Sequence, residues 1–439
     1  MRPRPKFIVP ALCVLALASA AANAAVDLSK FPDAAATEPK ATGVMTGFPP
    51  APEKLIRWSD AGHLRFPNTR WSFSHMREFL PTADVSRGPG KPFVFPRAER
   101  NLDAVSYTDM DGQQRTWAEA LAKTWSDGVV VVHRGRIVYE HYFGELTEEK
   151  AHAAFSVTKS FVGILAATLA QEGKLDPAAP VTRYVPELAE TAYGDATVRE
   201  VMDMTIGVQY SENYSDPKAE VFSYMAAGGF APAAPGTVAP ASMYDFLKTL
   251  KKQGEHDQAF AYKSVNTEVL AWIVQRVAGE RLPELISSRI WRKIGAEQDA
   301  YVLMDRTGVA SGGGGLNASL RDLARVGEML RLGGRFNGQQ IVPAAVVADI
   351  AGGADPAKFA KAGYTTLRNW SYRDMWWVSD HGYYMARGIY GQAIYVDPKS
   401  QLVVARFGSH PLASNVNQDP IILPAYRAIA QYLEKADRH

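Results

Sequence analysis

Hydrophobic and polar positions alternate most clearly near the two ends of the chain. Gly128-Val129-Val130-Val131-Val132 and Ile137-Val138-Tyr139-Glu140 flank His133-Arg134-Gly135-Arg136, which predicts a β-hairpin with a glycine-containing turn. Ala393-Ile394-Tyr395-Val396 and Leu402-Val403-Val404-Ala405-Arg406-Phe407 flank Asp397-Pro398-Lys399-Ser400, a second hairpin with a proline-bearing turn. Between them the period changes to three and four. Thr197 to Met202 opens on a capping-box pattern, Thr197 to Glu200, and Thr267–Ala278 and Ser319–Leu332 carry apolar residues at helical spacing. Pro420–Lys435 repeats that spacing through Leu423, Tyr426, Ile429, Tyr432 and Leu433 and predicts a packed closing helix. Strands at both ends and helices between predict an α/β (α+β) fold, an antiparallel sheet flanked by helices with a mostly helical inserted subdomain.

The pattern also sets expected boundaries. Residues 1–24 read as a signal peptide. Arg2, Arg4 and Lys6 precede the apolar run Phe7–Ala21, and Ala22-Asn23-Ala24 supplies a small-x-small cleavage pattern. Residues 25–55, rich in Ala, Pro and Thr, read as an extended lead-in. Segments 56–172 and 306–439 are expected to build the α/β domain, and 173–305 the helical subdomain, since 439 residues exceed what one core usually organises. Cleavage after Ala24 would remove Cys13, the only cysteine, and with it any disulfide, thiolate metal site or cysteine nucleophile. An exported, periplasmic or secreted protein with no membrane anchor after cleavage is the expectation. Forty-eight basic and 46 acidic residues nearly balance, and no basic stripe argues for nucleic acid.

Candidate chemistry centres on Phe155-Ser156-Val157-Thr158-Lys159, which opens a long apolar helical run reaching Gly173. Residues three apart share a helical face, so the Ser156 hydroxyl and the Lys159 amine can meet. Desolvation in an apolar helix disfavours the charged amine, and a neutral amine beside a hydroxyl is a general base. The competing reading is an N-cap serine with a lysine reaching for water. A second copy of the spacing, Ser215-Asp216-Pro217-Lys218, contains proline and polar residues and reads as a surface turn. Tyr262-Lys263-Ser264 precedes another apolar helix, where Tyr262, deprotonated or sharing a proton, could relay protons to a leaving group. Ala386-Arg387-Gly388-Ile389-Tyr390-Gly391-Gln392 runs into the second hairpin. There a glycine lets substrate approach, and the amides of Ile389 and Ser156 could form an oxyanion hole.

In this order the three elements resemble the β-lactamase-related serine hydrolases: class C β-lactamases, D-alanyl-D-alanine carboxypeptidases and related esterases. The chain looks most similar to the 6-aminohexanoate-dimer hydrolase branch. That resemblance extends to Gly47-Phe48-Pro49-Pro50, Arg57-Trp58, Met204-Thr205-Ile206-Gly207-Val208 and Glu212-Asn213-Tyr214, and spans about residues 46 to 435. It implies Ser156 as nucleophile, Lys159 as base, Tyr262 as proton relay, and the Ser156 and Ile389 amides as oxyanion hole. Substrate contacts would come from Tyr214, on a segment that closes over substrate in this branch, and from Ser264, Arg387 and Gly388. Ser264 stands where β-lactamases carry asparagine, and Ala386 leads the triplet that in them begins with Lys or His. Both departures point away from β-lactam turnover.

The sequence thus predicts a hydrolase of small-molecule amides or esters. The alternatives are a β-lactamase or D,D-carboxypeptidase, or a non-catalytic penicillin-binding-like module on the same scaffold. Nothing in it calls for a cofactor or metal, because the nine histidines show no ligand spacing. Gly312–Gly315 lacks the Lys-Ser/Thr of a phosphate loop and reads as tight turns. Tyr364, Trp370, Tyr372, Trp376 and Trp377 suit either an aromatic cleft wall or packing. The sequence sets no oligomeric state.

Overall fold

The computed structural model describes residues 28–438, so the predicted signal peptide lies outside the described residues. Its main sheet has seven strands: β1 (Ser126–His133), β2 (Arg136–Tyr142), β3 (Ser371–Arg373), β4 (Trp376–Val378), β5 (Tyr384–Gly388), β6 (Gln392–Asp397) and β7 (Leu402–Gly408). Their spatial order is β3-β4-β5-β6-β7-β1-β2, antiparallel throughout. Both predicted hairpins are present. In the first, Arg134 (φ 50°) and Gly135 (φ 74°) carry the left-handed turn that suits the twist of a two-residue hairpin. Pairing of β7 with β1, Leu402 opposite His133 and Phe407 opposite Gly128, joins the two distant hairpins into one sheet.

Four helices matter for the site: α1 (Val157–Gln171), α2 (Ser264–Ala278), α3 (Leu320–Arg331) and α4 (Asp419–Ala436). Neighbouring residues of a strand face opposite ways, and β6 uses both. Ile394 meets α3 at Gly327, where an added Cβ would lie 2.9 Å from the Ile394 side chain. Tyr395 faces the other layer, its ring 5.1 Å from Tyr426 of α4. Every residue of β1, β6 and β7 is buried, as a sheet covered on both faces requires. A smaller antiparallel sheet of Thr82–Val85, Ala300–Leu303, Leu316–Ala318 and His152–Ala153 lies at the entrance to α1. From Val181 to Trp291 the elements are all helical, and Thr197 caps Val198–Met202 with the predicted reciprocal capping box.

α1 is buried on all sides from Val157 to Leu169, and Gly173 (φ 72°) follows its end. Its tightest contact is at Gly163, where an added Cβ would stand 2.0 Å from the Asp374 carbonyl oxygen. Asp374 (φ 48°) and Met375 (φ 65°) form a left-handed turn pressed onto the helix, and the Met375 carbonyl accepts from the Ser160 hydroxyl at 2.8 Å. Gly163→Ala is therefore expected to destabilise, although alanine is the better helix former by about 1 kcal/mol. Overpacking against backbone costs about 1–3 kcal/mol and should win. Urea unfolding of the variant measures the sign, and a gain in stability would contradict the packing.

Candidate active site

The turn entering α1 is strained. Phe155 has φ 45°, a left-handed value rare for a bulky residue, and Ser156 follows in right-handed geometry as the N-cap of α1. Rings hold the turn in place: Phe155 packs against Phe73 at 4.7 Å and Tyr390 at 5.4 Å, and Phe73 packs against Tyr390 at 5.0 Å. The Thr158 hydroxyl donates to the Phe155 carbonyl at 2.6 Å and accepts from the Leu316 amide at 2.9 Å, tying the turn to the small sheet.

Ser156 makes no side-chain capping bond. Its hydroxyl instead lies 2.8 Å from the Lys159 amine, which removes the N-cap reading. Lys159 has no exposed surface, and its amine donates to the Gly313 carbonyl at 2.5 Å. Burial draws its pKa down from 10.5 to about 8, against the opposing pull of the Glu212 and Glu268 carboxylates. The reading of a water-seeking lysine fails as well. Ser215–Lys218, with the same spacing, is exposed.

Tyr262 stands beside this pair, with the Lys159 amine 5.2 Å from its ring centre. Burial, then Glu212, push the phenol well above its ordinary pKa, while a hydrogen bond with Ser156 favours the phenolate. The neutral phenol is thus the resting form, and of the two forms allowed by the sequence the deprotonated one is disfavoured. Trp377 packs on Tyr262 at 5.2 Å and Tyr372 lies edge-on at 6.2 Å, with Tyr364 beyond Trp377 at 5.7 Å. Of the aromatic stretch, these residues form a wall near the site. Trp376 packs instead against Tyr384, at 5.6 Å.

The end of β5 abuts the turn. A Cβ at Gly388 would stand 2.5 Å from the Ala154 carbonyl, so only glycine lets the strand come this close to Ser156. Gln392 braces the next residues: its side-chain amide donates to the Ile389 carbonyl at 3.0 Å and to the Gly408 carbonyl at 2.6 Å.

Two predicted substrate contacts are already engaged inside the protein. The Ser264 hydroxyl and amide donate to Glu212 at 2.7 and 2.6 Å. The buried Arg387 guanidinium pairs with Asp419 and lies over the Trp377 ring at 5.1 Å, so Asp419 already neutralises its charge. Tyr214 also bonds Glu212, at 3.1 Å, and that carboxylate fastens the 212–214 segment to the start of α2. Lys263, next to Tyr262, turns away and donates to the Val208 carbonyl.

Sequence reading assigned Gly312–Gly315 to turns alone and passed over Glu268. The structure brings both to the site, through the Gly313 carbonyl on Lys159 and through Glu268 behind it. Two signals marked them: a run of four glycines, and the one acidic residue of α2. Among the described residues, no group of three or more His, Cys, Asp or Glu side chains is placed to hold a metal ion, and no helix is long and apolar enough to cross a membrane.

A serine set by a strained turn at the mouth of a buried helix, a lysine on its next turn and the end of an antiparallel strand alongside define a serine hydrolase of β-lactamase/transpeptidase-like fold. The β-lactamase family model matches residues 115–419, and the chain belongs to that family. A 6-aminohexanoate-dimer hydrolase from Paenarthrobacter ureafaciens is 35% identical over 390 residues, covering 87% of this chain and 91% of that protein. A solved structure assigned as a 6-aminohexanoate-dimer hydrolase, from Bacillus anthracis, superposes with a TM-score of 0.80 at 33% identity, over 88% of this chain and 99% of the other. A family VIII carboxylesterase shares the fold at a TM-score of 0.53 and 16% identity, over 71% of this chain and 96% of the other.

Proposed function

We propose that the protein hydrolyses linear amide bonds of small substrates, and related esters, through an acyl-enzyme on Ser156. The observation that carries this reading is the 2.8 Å contact between the Ser156 hydroxyl and an amine with no access to water. Neutral Lys159 takes the hydroxyl proton as the serine oxygen bonds to the substrate carbonyl carbon. The carbonyl electrons move onto its oxygen, which the Ser156 and Ile389 amides stabilise at the positive end of α1. Collapse expels the amine, which needs a proton. The Tyr262 phenol supplies it and is recharged from the Lys159 ammonium. Water then adds to the ester, losing its proton to Lys159, and Lys159 returns that proton to the Ser156 oxygen as the acid leaves.

Amide specificity is supported by the names of the two relatives above 30% identity. The aromatic wall of Tyr262, Tyr364, Tyr372 and Trp377 suits an apolar linear chain. The test is a panel of linear ω-amino-acid amides, short-chain p-nitrophenyl esters, D-amino-acid peptides and a chromogenic cephalosporin. Turnover of linear amides and esters supports the reading. Cephalosporin turnover without either contradicts it.

Tyr262→Phe separates leaving groups. An expelled amine needs the phenol's proton, whereas p-nitrophenolate leaves without one. We expect kcat/KM for an amide to fall about 10²–10⁴-fold, the usual worth of a general acid, and that for a p-nitrophenyl ester by less than about tenfold. Equal losses on both substrates would remove the proton relay from the mechanism.

A further inference from the structure

Glu268 has no part in the steps above, and its setting is unusual. It sits on α2 six residues after Tyr262, is 1% exposed, and belongs to no salt bridge among the described residues. A buried carboxylate needs its oxygens satisfied by donors. The Gly313 amide donates to Oε1 and the Gly312 amide to Oε2, both at 2.9 Å. The Ser311 hydroxyl donates to Oε1 at 2.9 Å, and the Tyr224 hydroxyl donates to it as well. The turn has no slack. A Cβ at Gly312 would lie 2.5 Å from Ala271 of α2, and one at Gly313 would lie 2.8 Å from Glu268 itself.

The carbonyl of the same residue faces the reacting pair: Gly313 accepts from Lys159 at 2.5 Å. A carbonyl can only accept, so this contact consumes one N–H of the amine. A neutral amine has two N–H groups and one lone pair, and to act as a base its lone pair must point at the Ser156 hydroxyl. Fixing one N–H on Gly313 restricts the rotation that would turn the lone pair away.

We propose that Glu268 is a positioning residue, which clamps the Ser311–Gly313 turn so that the Gly313 carbonyl holds Lys159 with its lone pair toward Ser156. This rests on Lys159 acting as the base. Glu268 also bears on the charge of that amine. The groups facing Lys159 are the carboxylates of Glu268 on α2 and Glu212 on the 208–214 segment, and the neutral phenol of Tyr262. Both carboxylates favour the ammonium.

Glu268→Gln keeps the size, removes the charge and sets an NH₂ group against donors. We expect kcat/KM on an amide to fall about 10–100-fold, as for a base held in poorer geometry. The acid limb of its pH profile should move down by about one pH unit, because a charge that favoured the ammonium is gone. Glu268→Asp keeps the charge and should leave the limb in place. A purely structural role would lower the folded fraction without moving the limb. If Glu268→Gln fails to fold, the Tyr224→Phe, Ser311→Ala double variant, which keeps the charge, should lower kcat about tenfold at unchanged KM. Unchanged kcat there, or an unchanged rate and limb in folded Glu268→Gln, overturns the inference. Full activity in Lys159→Met would instead overturn the reading of the base, a distinguishable failure.

Discussion

Replacing Ser156 by alanine is expected to reduce amide turnover by about 10⁴-fold or more, because removing the nucleophile leaves only binding and oxyanion stabilisation. The fold should survive. The Ser156 hydroxyl caps no backbone amide, and the turn is held by the Phe73, Phe155 and Tyr390 rings and by Thr158. Stability should therefore stay within about 1 kcal/mol of the parent, the range of losing one modest hydrogen bond. Steady-state kinetics and urea unfolding on the same preparation give both values. Retained turnover would place the chemistry on another residue.

Lys159→Met is the second large effect, with an expected loss of about 10³-fold or more in kcat/KM, since serine without its base is a poor nucleophile. Its stability should move the other way. Lysine has a pKa of 10.5 unfolded and about 8 here, so the unfolded chain binds more protons than the folded one between those values. The parent's stability therefore rises as pH climbs from about 8 to about 10.5, and below that window the folded state carries the whole penalty. That is roughly 3 kcal/mol, at 1.36 kcal/mol per unit. Methionine removes the penalty but strands the Gly313 carbonyl, at a cost of about 1–3 kcal/mol. The decisive observable is the pH trend: any advantage of the variant at pH 7 should shrink through that window. A constant difference would mean that the amine is solvated.

The hairpins, the long helices and the Ser156–Lys159 pair were legible because each is a local pattern: alternation, helical period, or three-residue spacing. What joins them was not. The pairing of β7 with β1 links residues far apart in the chain, and no local period records it. The same holds for polar partners. Arg387 and Ser264 were legible as site residues through the resemblance, but their partners Asp419 and Glu212, 32 and 52 residues away in the chain, were not. Glu268 and Gly313 escaped notice because an isolated acid in a helix and a run of glycines acquire meaning only when the fold sets one against the other. Propensity misleads at Gly163 too, where the space left by the Asp374 carbonyl, and not helix preference, selects glycine.

The central claim is that a dehydrated, proton-free Lys159 activates Ser156. The most direct measurement is the pH dependence of inactivation by a fluorophosphonate, with the adduct located by mass spectrometry. The account predicts a single adduct on Ser156, formed at a rate that climbs about tenfold per pH unit and levels off near pH 8. Labelling elsewhere, or a rate on Ser156 that does not change between pH 6 and 9, would contradict it.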